Sequence, residues 1–312
     1  MSEPFVSVIV PVRDNPEGIE ELLRRLDAQT LPHERFEVVI GDDGSSGELP
    51  TEEIGNGRVR VTRGPRQNAY AARNRAVEHA RGRVLAFCDS DCLPDRTWLE
   101  EGLAALERSD VIAGEVTFVT PRPPTVWSLL TIDMFLDQER AVRLSRAVTA
   151  NLFVRRELFD ELGGFDDSLP SGGDYEFVLR AVERDARLAY APGSIVRHPT
   201  LDQARTFLRK VWMTNRWAAF RRARAGYSPT VEGMLVLVPF VGLAVARRRA
   251  DRPIGTLCRP RLTGAGLSPD WRDDLRALPV LYLPVAAVAG FGRARGWIEG
   301  MRTPRTGGAS WV

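Results

Sequence analysis

The stretch Val6–Asp43, VSVIVPVRDNPEGIEELLRRLDAQTLPHERFEVVIGDD, reads as strand, helix, strand. Val6-Ser7-Val8-Ile9-Val10 is rich in β-branched residues and suits a buried strand, which Pro11 ends. Asn15 is placed to cap a helix with Pro16 in its first position. Ile19, Leu22, Leu23 and Leu26 then recur at i, i+3, i+4 and i+7, giving that helix one apolar face. A second strand over Phe36–Ile40 runs into the polar turn Gly41-Asp42-Asp43-Gly44-Ser45-Ser46.

The alternation continues downstream. Arg58–Thr62 is predicted as a third strand, Tyr70–Arg81 as a helix closed by Gly82, and Val84–Cys88 as a fourth strand. Short apolar strands alternating with helices imply an α/β fold with a mostly parallel sheet, covered on both faces. Beyond it, Asp110–Thr117 is strand-like, Pro121–Pro124 a loop, and Arg156–Leu162 a short helix ended by Gly163-Gly164. Asp174–Arg184 is a helix with Tyr175, Val178, Leu179 and Val182 on one stripe, and Leu188–Ala191 a short strand. Gln203–Ala225 is a long basic helix ending at Gly226. The composition then shifts to arginine-flanked apolar runs, Met234–Ala246 and Ala277–Gly292, shorter than the ~20 residues that normally span a bilayer. A domain boundary is therefore expected within Gly226–Thr230, leaving a helical, partly apolar extension over 227–312.

Composition narrows the function class. With 44% hydrophobic and 27% charged residues over 312 positions, the chain is neither disordered, nor collagen-like, nor a polytopic membrane protein. The 43 basic and 41 acidic residues nearly cancel, so no global field favours nucleic acid as a partner. Cys88, Cys92 and Cys258 are too few for a disulfide framework, and Met1-Ser2-Glu3-Pro4 opens no secretory signal pattern. The expected setting is the cytoplasm.

Ligands of open parallel sheets bind beyond the carboxyl ends of the strands. Three acidic sites fall at such places: Asp42-Asp43 after the second strand, Asp89-Ser90-Asp91 after the fourth, and Asp174 at the start of a helix. Carboxylates gathered in one crevice repel each other unless a cation or a donor-rich ligand lies between them. A nucleotide diphosphate carried by a divalent ion meets both needs, and oxygen ligands suit Mg²⁺ or Mn²⁺ rather than zinc.

Taken in order, these segments resemble a family 2 glycosyltransferase of GT-A fold. The resemblance rests on Val6–Pro11, Val39–Ser46, Asn68–Ala76 leading into Leu85–Asp91, Gly163-Gly164-Phe165-Asp166, and Gly173–Arg180, and covers roughly Phe5–Pro199. It implies a GT-A domain over 1–226, with a nucleotide-binding half near 1–117 and an acceptor half near 118–226. It also implies an inverting transfer of a sugar from a nucleotide-diphosphate donor to a hydroxyl acceptor. Asp43 would hydrogen-bond the base, with Asp42 on base or ribose and Pro11 and Arg13 lining the pocket. Arg73 would approach the base or diphosphate, where a guanidinium fork suits phosphate oxygens. Asp89 would hold the ribose or a metal-bound water, Asp91 would ligate the metal, and His198 would contact metal or diphosphate. Asp174 would be the general base, with Glu176 a minor alternative. The family often carries Glu-Asp at this point, whereas this chain has Gly173-Asp174.

Plainer readings compete for several of these residues. Asp42-Asp43-Gly44-Ser45 suits an ordinary tight turn, Asp174 an N-cap, and His198 a structural histidine. Asp95 is better placed than Asp89 or Asp91 to cap the helix after Pro94. Cys88 and Cys92 lack the further ligands a zinc site needs, so packing explains them. The basic residues of Gln203–Ala225, next to the apolar runs, suit either an anionic membrane surface and a lipid-linked acceptor, or a helical subdomain packed on the core. Among other activities, a sugar-phosphate nucleotidyltransferase needs a glycine-rich loop after the first strand, where this chain has Pro11-Val12-Arg13-Asp14-Asn15. A nicotinamide enzyme lacks its G-x-G-x-x-G turn for the same reason. A nucleotide-sugar-binding scaffold without turnover is the non-enzymatic alternative, and Gly173 is the departure that favours it.

Overall fold

The computed structural model describes residues 5–50, 57–224, 226 and 278–302. Strand β1 (Val6–Val12) lies between β2 (Phe36–Asp42) and β4 (Val84–Cys88) and runs parallel to both. Strand β3 (Val59–Arg63) extends the same parallel half beside β2. Every residue of β1, β2 and β4 is buried, as expected of a sheet covered on both faces. The register pairs Val12 with Asp42 and Asp42 with Arg63, so the carboxyl ends of β1, β2 and β3 meet at one edge.

The sheet continues past β4 through β7 (Asn151–Arg155), β6 (Val111–Val119), β8 (Leu188–Pro199) and β5 (Leu93–Pro94), in the order β3-β2-β1-β4-β7-β6-β8-β5. β7 is antiparallel to β4 and to β6, and β5 is antiparallel to β8. The expected α/β architecture, with a parallel half covered on both faces, is the one observed. Helix α1 (Pro16–Asp27) begins as predicted: Asn15 caps it by accepting from the Gly18 amide, and Ile19, Leu22, Leu23 and Leu26 are buried. Helix α2 (Ala69–Glu78) is capped by Asn68, whose side chain accepts from the Tyr70 and Ala71 amides. Helix α3 (Trp98–Leu106) starts after Thr97 instead of Asp95, whose carboxylate pairs with Arg197 at 2.9 Å.

Three strands depart from the sequence expectation: β5 and β7, which it does not contain, and β8. β8 runs on to Pro199, carrying Pro192 and Gly193 that read as a strand end. β7 carries no clear strand signal of its own, and a buried polar side chain fixes it. Asn151 is fully buried; its Oδ1 accepts from Trp98 Nε1 at 2.8 Å, and its Nδ2 donates to the carbonyls of Glu115 (2.9 Å) and Ser194 (2.8 Å). One amide therefore ties α3, β6 and β8 to β7. Asn151→Leu takes the acceptor from a buried indole N–H and one donor from each of two carbonyls, and is expected to cost about 3 kcal/mol or more in denaturant unfolding. A loss below about 1 kcal/mol would show the network to be dispensable.

The chain divides into two compact units: Met1–Thr117 with Leu136–Pro199, and Phe118–Phe135 with Thr200–Val312. The first unit also holds α5 (Gln138–Arg143), α6 (Arg156–Glu161) and α7 (Gly173–Val182), after the second unit's α4 (Val126–Met134) in chain order. In the second unit, α8 (Ala204–Arg224) packs against α9 (Leu278–Arg302). A methyl group at Gly292, Gly296 or Gly300 would run into the carbonyls of Trp212, Arg216 and Phe220 respectively, so these glycines allow the two backbones to touch. Arg216 clasps Glu299 through two bonds of 2.7 Å. No helix among the described residues is long and apolar enough to cross a membrane. The Met234–Ala246 run, Cys258, and the expected boundary beyond Gly226 lie outside the described residues.

Candidate active site

The turn after β2 gathers four of the expected residues at one corner of the sheet. Asp42 is sealed from solvent; it accepts from the Ser45 amide at 2.9 Å and from Arg63 Nε at 2.7 Å. Burial alone would raise its carboxyl, but the Ser45 hydrogen bonds and the Arg63 guanidinium outweigh burial and hold it below the ordinary carboxylate range. Asp43 takes the Gln67 amide on Oδ1 at 2.8 Å and Arg13 Nη1 on Oδ2 at 3.4 Å. Its own amide donates to the Val12 carbonyl at 2.9 Å, which stitches the two strand ends together. Pro11 is buried in β1 opposite Gly41.

The Asp-Ser-Asp turn follows β4. Asp89 is half-buried and paired with Nη2 of Arg73, which α2 presents. Arg73 is itself buried, and its Nε has no partner among the described residues. A buried donor left unpaired costs about 1–3 kcal/mol. Asn15 Nδ2 donates to the Ser90 hydroxyl at 3.2 Å and to its carbonyl at 3.4 Å, so the residue that caps α1 also steadies this turn.

Asp91 is exposed, and its Oδ1 lies 3.7 Å from His198 Nε2. His198 Nδ1 is 2.7 Å from the Pro199 carbonyl. A carbonyl only accepts, so Nδ1 carries the proton and the neutral ring keeps its lone pair on Nε2. This backbone-oriented imidazole is the arrangement common to metal-ligating histidines. A separation of 3.7 Å is long for a hydrogen bond, yet suits two ligands of one ion. Cys92 lies close by but belongs to the core, its Sγ 3.9 Å from the Ala150 carbonyl. Burial and the neighbouring Cys88 push its thiol well above the ordinary value. The donor set is therefore carboxylate plus imidazole, which with diphosphate oxygens could hold a divalent ion.

Asp174 sits in the first turn of α7. The N-cap is Gly172, in the left-handed region at φ 78°, so Asp174 is not the cap. Asp174 Oδ1 accepts from the Tyr70 hydroxyl at 3.2 Å and from the Tyr175 amide at 3.0 Å. The Tyr70 hydroxyl accepts from the Gly172 amide at 3.0 Å. Tyr70 and Arg73 are one turn apart on α2, the guanidinium carbon 5.6 Å from the ring centre. Asp89, Arg73, Tyr70 and Asp174 thus form one connected chain. Glu176 instead pairs with Arg180, which also donates to the Gly164 carbonyl at 2.7 Å.

The remaining clamps were missed in sequence. Asn74 exchanges two bonds with the Phe165 backbone, at 2.8 and 3.0 Å, and Asn68 donates to the Asp167 carbonyl at 2.7 Å. Phe87, Phe159, Phe165 and Phe177 stack at 5.0–5.6 Å beneath them. The two asparagines of the Asn68–Ala76 motif were the visible signal, although their partners nearly a hundred residues away were not. His33 and His79 are exposed, and Arg216 and Trp217 belong to the second unit.

A parallel α/β half with acidic turns at its strand ends, continued by antiparallel strands, defines the class as a GT-A fold. The sequence profile described as glycosyl transferase family 2 matches residues 7–163. The chain belongs to glycosyl transferase family 2 and is a glycosyltransferase. It is 34% identical to glycosyltransferase AglE of Haloferax volcanii over 63% of this chain and 67% of that protein. It is 28% identical to the pre-mycofactocin glycosyltransferase of Mycobacterium tuberculosis over 65% of this chain, but spans only 44% of that protein's length. Among solved structures, mannosyltransferase PcManGT from Pyrobaculum calidifontis, in complex with GDP-Man and Mn²⁺, superposes with a TM-score of 0.59 at 21% identity, over 93% of this chain and 88% of that one. S. aureus TarS 1–349 in complex with UDP-GlcNAc gives 0.53 at 17% identity, over 93% and 90%. At such identities these two likenesses speak for the fold.

Proposed function

We propose that this chain moves a sugar from a nucleotide-diphosphate donor to an acceptor hydroxyl in one inverting displacement, with Asp174 as general base. The connected chain from Asp89 through Arg73 and Tyr70 to Asp174 carries the reading. It joins a phosphate-suited guanidinium to a carboxylate whose second oxygen has no partner among the described residues. Asp174 takes the proton of the acceptor hydroxyl as that oxygen bonds to the anomeric carbon. The bond from that carbon to the diphosphate breaks on the opposite face, and its electron pair leaves with the nucleoside diphosphate. Arg73, whose buried Nε has no partner among the described residues, approaches the base or diphosphate, while Asp43, Arg13 and Pro11 form the base pocket and Asp42, on base or ribose, anchors its turn.

Asp91 and His198 would hold Mn²⁺ or Mg²⁺, with Asp89 on the ribose or on a water of that ion. When bound there, such an ion supplies charge neutralisation at the diphosphate leaving group. The complexes of the two structural neighbours with GDP-Man and UDP-GlcNAc support a nucleotide-sugar donor. In this reading residues 1–226 form the catalytic domain, and 227–312 the extension toward a lipid-linked or surface-glycan acceptor at the cytoplasmic face of a membrane. The exposed Phe291, Ile298 and Met301 of α9, beside Arg295 and Arg302, support that placement.

The test is nucleoside diphosphate release across a panel of UDP- and GDP-sugars with Mn²⁺, with NMR of the product's anomeric configuration. One donor is expected to be consumed with inversion. Retention of configuration would rule out the single displacement, and tight nucleotide binding with no release from any donor would favour the scaffold.

A further inference from the structure

We infer that Tyr70 positions the Asp174 carboxylate for proton transfer, and that Gly173 is glycine to admit the Tyr70 ring. The inference rests on the reading of Asp174 as the base and goes beyond it. A Cβ added at residue 173 would lie 3.1–3.2 Å from Cγ, Cδ2 and Cε2 of Tyr70, closer than side chains ordinarily pack. The ring therefore occupies the room that a larger residue before Asp174 would need. The departure from Glu-Asp noted in the sequence has a partner, 103 positions upstream.

The hydroxyl is used twice. It accepts from the Gly172 amide at 3.0 Å, which satisfies an N–H at the start of α7 that no side chain of its own segment caps. Its single proton is thereby directed at Asp174 Oδ1, 3.2 Å away. Burial, and then the Asp174 carboxylate beside it, push the phenol above its ordinary value, so it stays a donor through the physiological range. Oδ1 also receives the Tyr175 amide, while Oδ2 meets no protein donor among the described residues. One oxygen is held by two donors and the other is left to take the acceptor's proton. Tyr70 itself is fixed by Phe165, 5.7 Å between ring centres, and by Arg73 over its face.

Tyr70→Phe keeps the ring and its packing and removes only the hydroxyl. Its kcat is expected to fall about tenfold, with donor KM and nucleotide Kd unchanged, because the loss is one of orientation. In an Asp174→Asn background the same change is expected to add less than about twofold, since residues acting as a unit are not additive. Gly173→Ala crowds the ring; combined with Tyr70→Leu it is expected to lower the melting temperature by less than the sum of the two single losses, with kcat not recovered. Parental kcat in Tyr70→Phe or in the Gly173→Ala, Tyr70→Leu pair would overturn the positioning role while leaving the base assignment standing. A multiplicative loss in the Asp174→Asn background would overturn it as well, by making Tyr70 a general structural residue. Full turnover by Asp174→Asn alone removes the base, and with it anything for Tyr70 to position.

Discussion

Asp174→Asn is expected to lower kcat by about 10²–10⁴-fold, the usual contribution of a positioned general base. The amide has the shape of the carboxylate and still offers an oxygen to the Tyr70 hydroxyl and the Tyr175 amide, so the first turn of α7 keeps its bonds. What it lacks is an anionic oxygen able to keep a proton. The acceptor hydroxyl must then attack while still protonated, and the barrier rises in the chemical step alone. Nucleotide-sugar affinity, measured by calorimetry, should match the parent, because the groups assigned to the donor lie at Asp43, Arg13, Arg73 and the Asp-Ser-Asp turn. Glu176 offers no substitute: Arg180 holds it against the Gly164 loop. Near-parental turnover by a folded Asp174→Asn enzyme would remove the base from the scheme.

The parts legible in sequence were those decided within one element. Pro16 and Asn15 start α1, the apolar spacing picks its buried face, and β-branched runs give β1 and β2. The acidic turns could be placed because a parallel sheet forces its strand ends to one edge, as the pairing of Val12 with Asp42 shows. The illegible parts depend on partners far along the chain. β7 has a short apolar run that fits a helix lead-in equally well, and what makes it a central strand is Asn151 reaching Trp98, Glu115 and Ser194. β8 continues through Pro192 and Gly193 because tertiary pairing outweighs local propensity. Tyr70 looks like one more apolar position of α2, and only the fold brings its hydroxyl to residue 174. Gly173 reads in sequence as a missing acidic residue, and only the fold sets the Tyr70 ring against it.

Asp91→Asn, or chelation of divalent ions in the parent, is expected to reduce transfer by at least about 10²-fold. The charge stabilisation assigned to this site is several kcal/mol, and each 1.4 kcal/mol is about tenfold. His198→Ala should weaken the response to Mn²⁺ more than the maximal rate, because Asp91 and diphosphate oxygens remain as ligands. The readouts separate binding from chemistry. Mn²⁺ with a nucleoside diphosphate should raise the melting temperature of the parent, and this shift should vanish in Asp91→Asn and shrink in His198→Ala. The geometry argues for such a joint site over either residue alone. The Pro199 carbonyl fixes the proton of His198 on Nδ1 and leaves Nε2 toward Asp91, while the thiol of Cys92 stays protonated in the core. Full activity in EDTA together with an unchanged Asp91→Asn rate would return His198 and Asp91 to a plain surface pair. In that case the burden of neutralising the leaving diphosphate would fall on Arg73.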